Sequence, residues 1–307
     1  MATFIQNLIN GVSLGSIYAL IALGYTLVYG ILRLINFAHG DLFMLAAYAA
    51  LGACAALGLG DAVSAGLPVS SWGAFALVLA LSMAAAAAAG WLVERLAYRP
   101  LRGQPRLNLL ITAVGVSLLL ENGAQAVFGA SPRRVPALIV DAPAFSVAGA
   151  QVSVLDLAVL GCALALLLAL DVWVHRTRMG RAMRAVSHSH ETAALLGIPV
   201  DRVISITFAV GSALAAAAAV LYGAKYPKVD PLMGVMPGIK AFVAAVLGGI
   251  GNLRGAVLGA MILGLAETLV AAYGASSWRD ALAFGLLILI LLFKPSGLLG
   301  SHQREKV

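Results

Sequence analysis

The chain has 307 residues, 62% of them hydrophobic and only 11% charged, with a mean hydropathy of +0.97. Soluble domains carry about a quarter charged residues, so this composition excludes a water-soluble globular domain and makes a bilayer the natural solvent. The formal net charge of +7 does not point to nucleic acid, because no separate hydrophilic domain is present to hold a basic groove; in membrane chains basic residues gather in cytoplasmic loops and set orientation.

No Lys or Arg precedes Arg33, so the first apolar run lacks the basic start of a cleaved signal peptide and reads as a spanning helix. It covers residues 4–32 and carries Gly11, Gly15 and Ser16, which permit close helix packing. Charge-poor stretches then predict spans at 42–59, at 72–93 with its alanine tract, and at 107–128 with Glu121 and Asn122 inside it. Further spans are predicted at 152–174 and 203–222. Residues 238–250 are too short for an ordinary span of roughly 20 residues and read as a broken or re-entrant helix, or as a short span packed inside protein. Spans at 256–273 and 281–293 complete the chain.

The expected fold is therefore all-α: a polytopic membrane helix bundle of eight or nine spans, forming one transmembrane domain over 1–307. The short alternating segments of a membrane β-barrel are not evident. Cys54 and Cys162 lie in separate apolar runs and read as small packing residues.

Nine spans with the N-terminus outside place Arg33, Arg95, Arg99, Arg102, Arg106, Arg176, Arg178, Arg181, Arg184, Arg202, Arg254, Lys294, Arg304 and Lys306 in the cytoplasm. Arg133, Arg134, Lys225, Lys228, Lys240 and Arg279 then face outside. That splits the 20 basic residues fourteen to six in favour of the inside. The 130–150 loop, with Pro132, Pro136 and Pro143, is expected to be an ordered external loop.

The longest cytoplasmic loop, at about 175–202, is the most informative segment. Ser189 is placed to cap a short helix, with Glu191 in its first turn where negative charge suits the helix dipole. Ala193, Ala194, Leu195 and Leu196 favour helix, Gly197 is placed to end it, and Pro199 prevents its continuation. A short helix with a small-residue face and the basic approach of Arg181 and Arg184 can dock in a groove on a soluble partner, or it is an interfacial loop whose arginines fix topology.

Polar groups within or beside the spans are the other candidates. Asn36, His39 and Asp41 form a turn between two spans, and pairing them inside protein avoids a large desolvation cost. That turn is either a gate near the cytoplasmic face or a structural connection; His39 and Asp41 lack further ligands at metal-binding spacing. Glu121, Asn122, Gln125 and Glu267 either line a path or pair at helix interfaces. The glycines around Asn252 and Arg254 read as a turn between helices or as part of a path, with Gly255 and Gly259 as a close-packing pair. No Walker P-loop occurs.

Glu191-Thr192-Ala193 followed by Gly197 resembles the Glu-Ala-Ala coupling loop of ABC importer permeases, although the later Ile-x-Leu-Pro part of that consensus is absent. Asn36-Phe37-Ala38-His39-Gly40-Asp41 resembles the Asn-Phe-Ala-His-Gly signature of LivH-type branched-chain amino acid permeases. The opening Asn10-Gly11, Tyr18-Ala19-Leu20 and Ala22-Leu23-Gly24 is similar too. So are Glu94-Arg95 with Tyr98-Arg99-Pro100-Leu101-Arg102, Lys240-Ala241-Phe242 with Gly248-Gly249-Ile250-Gly251-Asn252, and the ending Lys294-Pro295-Ser296-Gly297-Leu298-Leu299-Gly300.

These ordered matches over almost the whole chain imply a permease subunit of an ATP-driven, binding-protein-dependent importer in the bacterial inner membrane, without a catalytic site of its own. They imply as partners a second related permease chain, two ATP-binding subunits holding ATP and magnesium, an external solute-binding protein and the lipid bilayer, and no nucleic acid. They also imply that Glu191, Ala193, Ala194 and Gly197 couple to the ATPase. The residues alone leave two rivals: an ion-gradient-driven secondary transporter, and an intramembrane enzyme using His39 and Asp41.

Overall fold

The computed structural model describes residues 1–59, 71–136, 138–139 and 141–300. The side chain of Arg106, and Arg304 and Lys306, all assigned to the cytoplasmic set above, lie outside the described residues.

Helix α1 covers Ala2–Leu32, α2 His39–Ala56, α3 Trp72–Val93 and α4 Arg106–Phe128. After three short strands come α5 at Val154–Arg176, α6 at Arg178–His188, α7 at His190–Leu195 and α8 at Val200–Lys225. Helices α9 at Val235–Gly248, α10 at Leu253–Tyr273 and α11 at Trp278–Phe293 complete the bundle. Among the described residues, seven helices (α1 to α5, α8 and α10) are long and apolar enough to cross a membrane. Helix α9 has 14 residues and spans only about 21 Å, and α11 has 16. The expected count of eight or nine is thus approximate: seven full-length helices accompanied by these two shorter ones.

The elements end where local chemistry ends them. Ser153 accepts from the Asp156 amide to cap α5, Thr177 from Gly180 to cap α6, Ser189 from Thr192 to cap α7, and Asn252 from Gly255 to cap α10. In the loop between α4 and α5, the described residues form strands, as expected of a structured loop. Strand β1, Arg133–Arg134, pairs antiparallel with β4, Lys228–Val229, and β2, Pro143–Val147, forms a hairpin with β3, Ala150–Ser153. Gln6 Oε1 accepts from the Gln151 amide at 2.8 Å, which brings the start of α1 to the same end of the bundle. This is the end assigned to the outside.

Helix α1 is the central post, with 94% of its most apolar stretch buried. Gly15 of α1 meets Gly264 of α10 so closely that a Cβ at Gly264 would overlap the Gly15 backbone. The glycines expected to allow close packing therefore do so. Gly259 likewise presses on Ala244 and Gly248 of α9. Helices α3, α4 and α5 are mostly exposed, with leucines such as Leu77, Leu119 and Leu164 turned outward. Such faces cost nothing in lipid, whose tails are as apolar as leucine.

Two helices begin inside the bundle. The His39 ring packs on Gly24, which lies eight residues, or about 12 Å, before the end of α1. The chain therefore climbs back through 33–38 before α2 starts, after Arg33 has closed α1 with φ 52°. Helix α9 starts beside the same point: Gly234 and Gly238 lie against Gly40, where a side chain on Gly40 or Gly234 would overlap the opposing backbone.

Candidate functional site

The turn residues singled out from the sequence are buried within protein as expected, but each pairs with a different helix rather than with its neighbours. Tyr98, just past α3, donates to Asn36 Oδ1 at 2.7 Å. Ser117 of α4 donates to Asp41, and the Glu121 carboxyl stands beside the same Asp41. The His39 ring meets Tyr25 edge-on at 4.6 Å, and its Nε2 and the Asn36 amide nitrogen have no hydrogen-bond partner. Asp41 sits in the first turn of α2, where the helix dipole favours its charge. The result is a polar knot midway along the bundle, where the starts of α2 and α9 converge on a contact made of glycine backbone.

The fourth span separates two residues the sequence grouped. Glu121 turns toward α2 and Asp41. Asn122 is exposed on the other side of α4, its amide donating to the Leu118 carbonyl of its own helix at 2.7 Å. Adjacent helical positions point about 100° apart, so the two cannot share one partner.

Glu267 is buried between helices. It accepts from Lys240 of α9 at 2.7 Å and from the Tyr18 hydroxyl of α1 at 3.0 Å. Lys240 also reaches Asp280 of α11 at 2.9 Å. The expectation that Lys240 belongs to the external basic set is corrected: it lies inside α9, almost wholly buried, because two carboxylates, Glu267 of α10 and Asp280 of α11, satisfy its charge. A second lysine, Lys225, ties α8 to Asp156 of α5 at 2.7 Å and to Ser13 of α1 at 2.9 Å.

At the end of the bundle assigned to the cytoplasm, the short helix forms as read. Ser189 caps it, Glu191 stands in its first turn, and Gly197 leaves it with φ +77°, a conformation that side-chain-bearing residues rarely adopt. Its basic approach is itself a helix, α6. Arg181 is exposed there, and Arg184 donates back to the Val174 carbonyl, capping α5. Ala193 faces inward and is buried against the bundle, whereas Ala194 is exposed and Leu195 and Leu196 stand 88% and 74% exposed. His190 Nε2 bonds the Ile31 carbonyl at 2.8 Å, fastening this helix to the end of α1.

Two glycine-rich segments matched separately in the sequence meet in space. Leu298 and Leu299 donate from their amides to the Leu247 and Gly248 carbonyls at 2.9 Å, and Asn252 Nδ2 donates to Leu299. The 248–252 stretch is thus a turn between α9 and α10, plugged by the tail after α11.

The sequence alone points to no partner for Glu94, Tyr98, Arg102, Asp201 or His190, although the first three lie in one of the family-like stretches. The available signal was Glu94 itself, an acid at the very end of a long apolar run.

A family model described as "Branched-chain amino acid transport system / permease component" matches residues 7–291. The chain is 43% identical over 310 residues to the high-affinity branched-chain amino acid transport system permease protein LivH of Escherichia coli strain K12, covering 99% of this chain and 98% of that one. It is 42% identical over 307 residues, with the same coverage, to the corresponding BraD protein of Pseudomonas aeruginosa. It is 26% identical over 309 residues to a probable branched-chain amino acid transport permease protein LivH of Methanocaldococcus jannaschii, covering 94% of this chain and 90% of that one.

Proposed function

The chain belongs to the family of branched-chain amino acid transport permease components, and from that premise we propose that it is the membrane-spanning subunit of an ATP-driven, binding-protein-dependent importer of branched-chain amino acids. The observation that carries this reading is identity above 40% to two such permeases over 99% of the chain. The protein is multi-pass, with seven helices of spanning length, and we place it in the bacterial cytoplasmic membrane.

In this reading the chain performs no chemistry. ATP and magnesium are held by two ATPase subunits, a second related permease chain completes the path, and an external binding protein delivers the solute. Helix α7 is the docking point for the ATPase. Its exposed Leu195 and Leu196 support this, since an apolar pair held out at a polar face is suited to a hydrophobic groove. Asn36, His39 and Asp41 form the inner gate, with Glu121 beside them on the path. The support is their burial at the point where two helices start inside the bundle, a geometry in which helix N-termini and freed polar groups serve a passing solute. Glu267 holds the bundle together through Lys240.

The test is uptake of labelled leucine into vesicles holding the chain with its partner permease, ATPase subunits and binding protein. Uptake that needs both ATP and the binding protein is expected. Uptake driven by an ion gradient without ATP would move the chain to the secondary transporters.

A further inference from the structure

Helix α3 does not simply stop at the cytoplasmic surface. Past Val93 the backbone widens into a π turn, Glu94–Tyr98, and then tightens into a 3-10 turn, Arg99–Leu101. Single π turns within helices are rare and concentrate at functional positions. The polar side chains of this switch segment are held by other parts of the fold. The Glu94 carboxylate is completely buried and accepts from Arg102 and from Ser205 of α8. Arg102 and Arg99 both donate to Asp201, in the first turn of α8. Tyr98, 1% exposed, lays its ring against Phe208 of α8 at 5.3 Å and gives its proton to Asn36.

These bonds join two distant places. Asp201 opens the helix that follows the α7 corner at Gly197. Asn36 lies in the 33–38 connection that leads into His39 and Asp41. The corner is fastened a second time to the other side of that connection by the bond from His190 to Ile31. The two ends of the segment differ in strength. Glu94 is a buried carboxylate that cannot give up its bond from Ser205 of α8 without a large cost, whereas Tyr98 to Asn36 is one neutral hydrogen bond, worth far less. The segment is thus held firmly to α8 and lightly to the connection.

We propose that residues 94–102 transmit the movement of α7 to the inner gate, with Arg102 gripping α8 through Asp201 and Glu94 and Tyr98 pulling on Asn36. Arg102 and Tyr98 are positioning residues in this scheme; neither meets the solute. The inference rests on the permease reading above, because it needs an ATPase to move α7.

The test uses the complete transporter in vesicles and reads solute imported per ATP hydrolysed. Tyr98→Phe removes one hydroxyl and keeps the ring on Phe208. It is expected to leave binding-protein-stimulated hydrolysis within about twofold of the parent while import per ATP falls roughly tenfold, the scale of one buried hydrogen bond. Arg102→Ala is expected to lower the same ratio, with Arg102→Lys recovering part of it. If Arg102→Ala fails to assemble, Tyr98→Phe alone decides. An unchanged ratio in Tyr98→Phe, or import and hydrolysis falling in proportion, overturns the proposal. A parent complex that imports without ATP overturns the permease reading instead, and this one with it.

Discussion

The ammonium of Lys240 lies 2.7 Å from the carboxylate of Glu267, with both side chains buried between helices α9, α10 and α1. Glu267 has one further donor, Tyr18, whereas Lys240 has a further acceptor in half-exposed Asp280. The two partners are therefore unequal. Removing one member of a buried pair costs about 3–5 kcal/mol, because the other is left as an uncompensated charge. Lys240→Met strands Glu267 beside a lone hydroxyl, while Glu267→Gln leaves Lys240 paired with Asp280. Lys240→Met is expected to lower the melting temperature of the purified protein more than Glu267→Gln, and the double variant Lys240→Met/Glu267→Gln to recover much of the loss. Equal losses that add in the double variant would contradict this coupling.

Leu195 and Leu196 stand 88% and 74% exposed at the end of the bundle assigned to the cytoplasm, and Ala193 beneath them is buried. Reversing the exposed pair should therefore break docking without touching the bundle. Leu195→Glu/Leu196→Glu is expected to insert in the membrane at parental levels and to lose co-purification with the ATPase subunits by at least tenfold. Ala193→Glu, by contrast, should lower membrane yield itself, since it drives an unpaired charge into a closed contact. Pull-down and quantified membrane fractions check both.

Much of this was legible in advance, and the reasons are local. Length and apolarity locate the helices because a bilayer admits little else, and Ser189, Gly197 and Pro199 carry the start and stop of α7 in their own chemistry. What could not be read was pairing at a distance. Lys240 reads as an external charge because a short apolar run gives no sign that two carboxylates, Glu267 of α10 and Asp280 of α11, await it. Asn36 was grouped with His39 and Asp41 by proximity in sequence, yet its partner is 62 residues away. Asn122 shares a span with Glu121, but a turn of about 100° sends the two to different faces of the helix. The shift of α3 into a π turn leaves no periodic trace, because Glu94 to Arg102 reads equally well as the first residues of a loop.

Gly264 and Gly285 give a matched pair for the packing of the central helix. A Cβ at Gly264 would overlap the Gly15 backbone, while nothing lies within 4 Å of one at Gly285. Two backbones cannot yield as a flexible side chain can, and overpacking of this kind costs about 1–3 kcal/mol or more. Gly264→Val is expected to reduce folded protein in the membrane severalfold, and Gly285→Val to leave it unchanged or slightly raised. Fluorescence-detected size exclusion of tagged variants reads both; equal yields would mean that α1 and α10 do not meet through their glycines.

At the proposed gate, packing and transport can be separated. Gly40 opposes Gly234 so closely that a Cβ on either would overlap the other's backbone, and the next residue, Asp41, holds Ser117 of α4. If the starts of α2 and α9 move apart during transport, the glycine contact matters for one state of the cycle, whereas the Asp41 bond sets which helix moves with α2. Gly40→Ala should then hold the contact open. It is expected to depress leucine uptake more than tenfold while ATP hydrolysis without the binding protein rises. Ser117→Ala removes a single hydrogen bond to a charged group, worth about 1.5–3 kcal/mol, and should cut uptake with hydrolysis close to the parent. Uptake and hydrolysis measured together on both variants distinguish a gate from a structural turn, since a turn that only holds the fold would lower both activities together with the amount of folded protein.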